Sequence, residues 1–262
     1  MKVVFWSAVR GQTGASAGMI AAAFACSVFE RKNVFLIRTN CSESGLETVL
    51  MSGRSVREEL KGVGIGAALR AMRAGTLDCR MLADCAVTLP GSRISFLPGS
   101  LSEEVFRQPD ESEERELTDQ LIELACREYD LVFVEAGIPG KEQPHGGLER
   151  QDVEVICLNQ NKQVLDRYFD KEEEKENRYY LIGMYRMDSD YTLKNLKKIY
   201  PHLQGRTAIL PWCTEYQDAC SRGEPYRFFM RNAEAGKDEP NYRFIRECKG
   251  ISSMLTAGRE MR

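Results

Sequence analysis

Early in the chain an apolar run, Lys2-Val-Val-Phe-Trp-Ser7, leads through Arg10-Gly-Gln-Thr-Gly-Ala-Ser16 into a small-residue stretch, Ala17 to Phe29. No other feature constrains the fold as strongly. The apolar run reads as a buried strand, and the stretch after the glycines is long enough for a helix packed on a sheet. Strand, glycine turn and helix N-terminus together aim backbone N–H groups and the helix dipole at one spot, a seat for an anion. In the general phosphate-loop pattern G-x-x-x-x-G-K-[ST], the lysine reaches the β/γ-phosphates and the hydroxyl holds Mg²⁺. Gly14 and Ser16 fit it, but Ala15 stands at the lysine position and Val9 at the first glycine. The cradle is kept and its main charge is missing.

Further short apolar runs follow at Asn33–Arg38, Ile94–Leu97, Leu131–Glu135, Val153–Leu158, Tyr179–Gly183 and Thr207–Leu210. Helical patterns lie between them, among them Ala67–Arg73, Glu114–Arg127 and Tyr191–Tyr200. This alternation predicts an α/β fold: a doubly wound, mainly parallel sheet of about seven or eight strands with helices on both faces. No Pro/Gly/Ser linker, repeat or low-complexity block divides the chain, so residues 1–262 read as a single domain. Ligands of such sheets sit at the carboxyl ends of the strands. The segments to watch are therefore Val9–Ala15, Arg38–Asn40 and Glu135–Gly140.

Composition removes several classes of function. A formal charge of −3 and a pI near 5.7 give no strong case for nucleic acid. No apolar run reaches transmembrane length, and the first predicted strand begins directly after Met1, so no signal peptide is expected. A cytoplasmic protein follows, with room for a peripheral place at the inner face of the membrane. Nine cysteines without a C-x-x-C pair read as reduced thiols used as small apolar residues. The two histidines, His145 and His202, fall in predicted loops, with no triad order or zinc spacing around them. Gly62-Val-Gly-Ile-Gly66 lacks a preceding strand and reads as a turn before a helix. The acidic runs Asp110–Glu116 and Lys171–Glu176 read as solvated helix ends or loops. In Tyr242–Met261, Phe244, Ile245, Cys248, Ile251 and Leu255 recur at helical spacing. That helix either docks on the domain or, with Arg243, Arg246 and Lys249 nearby, meets a membrane surface.

Taken in order, these segments resemble the MinD/ParA family, whose deviant Walker A motif is K-G-G-x-G-K-[TS]. Arg10–Ser16 overlays that motif without a gap: Gly11, Gly14 and Ser16 match, Arg10 stands at the signature lysine and Ala15 at the P-loop lysine. The family's second strand ends in L-I-D-x-D, and here it ends Leu36-Ile-Arg-Thr-Asn40, so both acids are gone. Tyr129-Asp-Leu-Val-Phe-Val-Glu135-Ala-Gly-Ile-Pro-Gly140 is similar to Y-D-x-V-x-x-D-x-x-x-G, with Glu135 at the metal-side aspartate. Ile209–Pro225 resembles the segment that passes the nucleotide base, which implicates Pro211 and Trp212. Gly11–Gly14 together with Leu181–Tyr185 and Tyr191–Asn195 resembles a narrower branch, the TadZ/CpaE-like proteins of Tad/Flp pilus machinery. Many relatives in that branch have an asparagine near the adenine where this chain has Met184, and many carry a receiver-like domain ahead of the P-loop domain.

The resemblance implies an ATP or ADP site, weakened, built from Arg10, Gly11, Gln12, Thr13, Gly14, Ala15, Ser16 and Ala17, with Ser16 and Glu135 as Mg²⁺ ligands. Losing a lysine's charge-assisted hydrogen bond costs roughly 1.5–3 kcal/mol, about ten- to a hundred-fold in affinity. Hydrolysis should suffer more, because the family's signature lysine acts across a dimer like an arginine finger, worth roughly 10³–10⁵ in rate. Arg10 keeps the charge without copying the geometry. Glu135 has two readings, a metal-side carboxylate or an ion-pair partner of Arg38 or Lys141. Trp212 and Tyr216 likewise either stack on a base or pack under the terminal loop. The implied function is a degenerate positioning or assembly scaffold of pilus machinery, with self-association and pilus or secretion proteins as partners. The alternatives are an active ParA/MinD-like ATPase positioning DNA or the division apparatus and, less well supported, a metabolic P-loop enzyme.

Overall fold

A computed structural model describes residues 1–39, 46–51, 62–99, 111–137, 152–170 and 175–257. Asn40, Pro139, Gly140, Lys141, His145 and Met261, all weighed above, lie outside the described residues. In chain order the described elements are β1 (Lys2–Ser7), α1 (Ala15–Phe29), β2 (Val34–Arg38), α2 (Leu46–Leu50), α3 (Ile65–Arg73) and α4 (Cys79–Cys85). Then come β3 (Val87–Thr88), β4 (Ile94–Phe96), α5 (Glu111–Glu128), β5 (Leu131–Glu135), β6 (Val153–Leu158) and α6 (Lys162–Phe169). The remainder is β7 (Arg178–Tyr185), α7 (Leu193–Ile199), β8 (Thr207–Pro211), α8 (Thr214–Ser221), α9 (Pro225–Asn232) and α10 (Tyr242–Thr256).

The strands form one eight-stranded sheet in the order β3-β4-β2-β5-β1-β6-β7-β8. Every pairing is parallel except β3 on β4, an antiparallel edge that two residues of sequence give no period to announce. The apolar runs are buried on both sides, as a parallel sheet covered by helices requires. In β1, Val3 and Phe5 belong to one core while Val4 and Trp6 belong to the other. The first core lies under α1, α2, α8, α9 and α10, the second under α3 to α7. The predicted doubly wound sheet is thus the observed one, and β1 occupies its middle.

Helix α1 is enclosed nearly all round: Met19 through Cys26 are fully buried. Its alanines supply the best intrinsic helix propensity and the small cross-section that two-sided burial needs. At Gly18 even a methyl group would lie 2.9 Å from Leu181 Cδ2. Helix α10 covers the outer side of α1, and Phe244, Ile245, Cys248, Ile251 and Leu255 are all buried in the shared core. The apolar stripe read as a membrane-contact face is therefore spent on docking, and no helix among the described residues is long and apolar enough to cross a membrane. His202 also departs from its reading as a solvated loop residue: it sits half-buried in a 3₁₀ turn, stacked on Phe169 at 5.4 Å. The eight described cysteines form no disulfide with one another, and Cys26, Cys85, Cys157, Cys213, Cys220 and Cys248 are buried.

Candidate functional site

Order in the sheet reverses around β1, where α1 leads away to one side and β6 opens the other. The loop between β1 and α1 stands at the carboxyl end of that switch point, the place where α/β sheets hold ligands. Gly11 and Gly14 both take left-handed backbone conformations, φ +74° and +67°, which residues with a Cβ rarely adopt. Gly14 is the N-cap of α1 and offers no side-chain cap. The first-turn N–H groups at Ala15, Ser16 and Ala17 thus face the loop without a capping side chain. The loop is braced from beneath. Ser7 Oγ donates to the Val9 carbonyl at 2.7 Å, so the buried Thr13 hydroxyl donates to Ser7 Oγ, also at 2.7 Å. Asn159 Nδ2 donates to the Gln12 carbonyl at 3.0 Å. Arg10, Gly11 and Gln12 form the exposed crest.

Beside the loop, the Ser16 hydroxyl donates to Glu135 Oε1. Arg38 Nε lies 3.0 Å from Glu135 Oε2. Arg38 and Glu135 are register partners at the last positions of β2 and β5, so the backbone itself brings them together. Their side chains are 25% and 10% exposed. Of the two ion-pair readings of Glu135, the structure shows the one with Arg38, while Lys141 lies outside the described residues. Arg10 does not reach this carboxylate, and among the described residues no carboxylate pairs with it. Behind the site, burial pushes the Cys157 thiol far up and the Glu135 carboxylate adds to the shift, so Cys157 is a neutral packing group.

On the opposite flank, Pro211 closes β8, and the Trp212 N–H donates to the Tyr185 carbonyl at 2.9 Å. The Trp212 ring is 46% exposed and its Nε1 donates to Thr214 Oγ1 at 3.1 Å. Tyr216 takes the other of its two readings: it is fully buried, and its hydroxyl donates to the Ala17 carbonyl at 2.8 Å. It packs against Phe228, Phe229 and Phe244 beside α1, while the Trp212 ring stays exposed.

Two residues that hold the loop were not singled out as site residues. Gly183, in the middle of β7, lets the loop descend onto the strand: a Cβ there would overlap the Thr13 carbonyl oxygen. A glycine inside an apolar strand is the sequence signal of such a close approach. The next residue, Met184, has φ +49°, and its side chain lies against Gly14.

Compared with models of known protein families the sequence matches none, and among curated proteins it also finds no match. Solved structures do match. A ParA family ATPase from Chlorobium tepidum TLS superposes with a TM-score of 0.67 at 16% identity, covering 96% of this chain and 98% of that one. The MinC:MinD cell division protein complex of Aquifex aeolicus gives 0.60 at 16% identity, with 98% and 96% covered. The septum site-determining protein MinD of Pyrococcus horikoshii OT3, complexed with Mg-ADP, gives 0.60 at 12% identity over 100% of both chains. Over almost its whole length, the chain has the fold of the ParA and MinD ATPases.

Proposed function

We propose that this protein binds an adenine nucleotide at the loop 10–17, hydrolyses it little or not at all, and serves as a positioning or assembly scaffold. One observation carries the reading. The loop keeps the backbone geometry of a phosphate seat, while the groups that would drive phosphoryl transfer are absent or engaged: Ala15 brings no charge, and Glu135 is held by Ser16 and Arg38. Phosphoryl transfer depends on charged groups placed around the phosphates, so losing them disables turnover before binding. The shared fold with a MinD that holds Mg-ADP supports the nucleotide, and the exposed Trp212 ring directly after Pro211 supports a contact with its base. Among the described residues no carboxylate pairs with the exposed Arg10, which supports either a monomer or a dimer formed without ATP in which Arg10 meets a carboxylate of the second copy.

Calorimetric titration with ATP, run beside a phosphate-release assay, tests this. Wild type should bind weakly and release phosphate at background. Ala15→Lys should tighten ATP by about ten-fold while turnover stays at background. Unchanged affinity would mean that the loop is no phosphate seat. Brisk hydrolysis, or a monomer-to-dimer switch in light scattering driven by Mg-ATP, would instead favour an active ParA/MinD-like switch that positions DNA or the division apparatus. The pilus assignment is supported by the TadZ/CpaE-like resemblance of Gly11–Gly14 and Leu181–Asn195. Genes for pilus secretion components beside this one, and loss of surface pili on its deletion, are the expected outcomes.

A further inference from the structure

We infer that the resident cation of this site is Arg38 rather than a metal ion, so that the seat takes a phosphate or polyphosphate anion without using magnesium. The inference rests on the phosphate-seat reading of the loop and concerns how the charge of that seat is balanced.

In a P-loop the serine hydroxyl oxygen ligates Mg²⁺ directly and an acid at the end of a neighbouring strand supports it. The residues here do not fit that task. The Ser16 hydroxyl is turned to Glu135 as a donor, and the other carboxylate oxygen faces the Arg38 guanidinium at 3.0 Å. Magnesium demands near-octahedral oxygen coordination and gives up its water reluctantly. A hydroxyl that donates to Glu135 still has lone pairs for a metal, so what stands against magnesium is Arg38: a dication would have to settle beside its guanidinium in a largely buried corner. Arg38 cannot retreat at its backbone, because it is bonded into β2 directly opposite Glu135. Among the described residues no group of three or more His, Cys, Asp or Glu offers a metal site elsewhere.

The pairing also removes one need for the metal. A bare carboxylate at the end of β5 would repel phosphate oxygens, and a metal ordinarily masks that charge. With Arg38 in place, the pair contributes no net charge to the seat. The anion then meets the uncapped first-turn N–H groups of α1. The ligand class this selects is a nucleoside di- or triphosphate bound through its phosphates alone.

Titrating ADP into the full chain by calorimetry, once with excess Mg²⁺ and once with EDTA, reads the consequence. The two affinities should agree within about twofold, whereas Arg38→Ala should make Mg²⁺ tighten ADP by about ten-fold. Tightening of that size in wild type overturns the inference. A second readout needs no nucleotide: the Arg38 Nε–H resonance, assigned in nitrogen-15 spectra by its loss in Arg38→Lys, should stay in place as Mg²⁺ is added. Displacement of that resonance by Mg²⁺ overturns the inference whatever ADP does. Should ADP bind in neither buffer, the nucleotide reading falls, and the resonance still decides whether Arg38 or a metal serves Glu135.

Discussion

An arginine faces a glutamate across neighbouring parallel strands at both ends of this sheet. At the amino edge Arg178 opposes Glu154 on β7 and β6, with Nε and a terminal guanidinium nitrogen 3.2 and 3.0 Å from one carboxylate oxygen. At the carboxyl edge Arg38 opposes Glu135 on β2 and β5. The first pair is 3% and 4% exposed, and Lys175, 3.6 Å from Glu154, adds a second cation. A second buried pair, Lys2 and Asp152, adjoins it, with the Lys2 backbone N–H donating to Asp152 at 2.9 Å. The amino edge is therefore closed, its charges satisfied within the fold. The carboxyl-edge pair is more open, and its third partner, Ser16, stands in the first turn of α1 after the glycine loop. The same residue types in the same register thus do two jobs, set by what lies beyond the strand end.

The largest expected effect separates the two pairs by stability. Arg178→Ala leaves Glu154 buried with only the exposed Lys175 for company, and should cost about 3–5 kcal/mol in chemical denaturation. A loss below about 1 kcal/mol would erase the distinction drawn here. Next in size, Gly183→Ala drives a methyl group into the Thr13 carbonyl and lifts the loop from β7. Denaturation should show a loss of about 1–3 kcal/mol. Because the shift moves the loop that leads into the first turn of α1, ADP affinity should also fall, by about ten-fold; an unchanged affinity would show that the loop's seat on β7 is irrelevant to binding. The smallest effect is Arg38→Ala. With Glu135 keeping its Ser16 hydrogen bond and some access to water, the denaturation midpoint should report only about 1 kcal/mol. A cost equal to that of Arg178→Ala would make the upper pair a structural clamp like the lower one.

Much of this was readable from local pattern. Runs such as Val153–Leu158 and Leu131–Glu135 are apolar throughout because both faces of a parallel sheet are covered, and the glycines at 11 and 14 mark left-handed turns whatever surrounds them. The Arg38–Glu135 contact was legible only as one of two alternatives, since sequence places both residues at strand ends without saying that β2 and β5 are neighbours. Residues whose role is set by distant chain stayed hidden. Gly183 is needed because of Thr13, and Tyr216 is buried because its hydroxyl reaches Ala17. The segment Ile209–Pro225 resembles a base-side strand end. Its larger contribution is Tyr216, which joins Phe228 and Phe229 of α9 and Phe244 of α10 in the aromatic cluster that roofs α1.

That roof has a consequence for synthesis on the ribosome. Strand β1 and helix α1 emerge first, yet β1 pairs with β5 and β6, and the outer side of α1 is sealed by α10, the last helix described. Among the described residues, the helices that pack on that side of Met19–Cys26, α9 and α10, come from the end of the chain. The most apolar helix of the protein must therefore wait, uncovered, until nearly the whole chain has been made, and such long-range closure is slow and prone to aggregation while it lasts. The first turn of that helix, where we propose an anion seat, is accordingly among the last parts of the molecule to take shape.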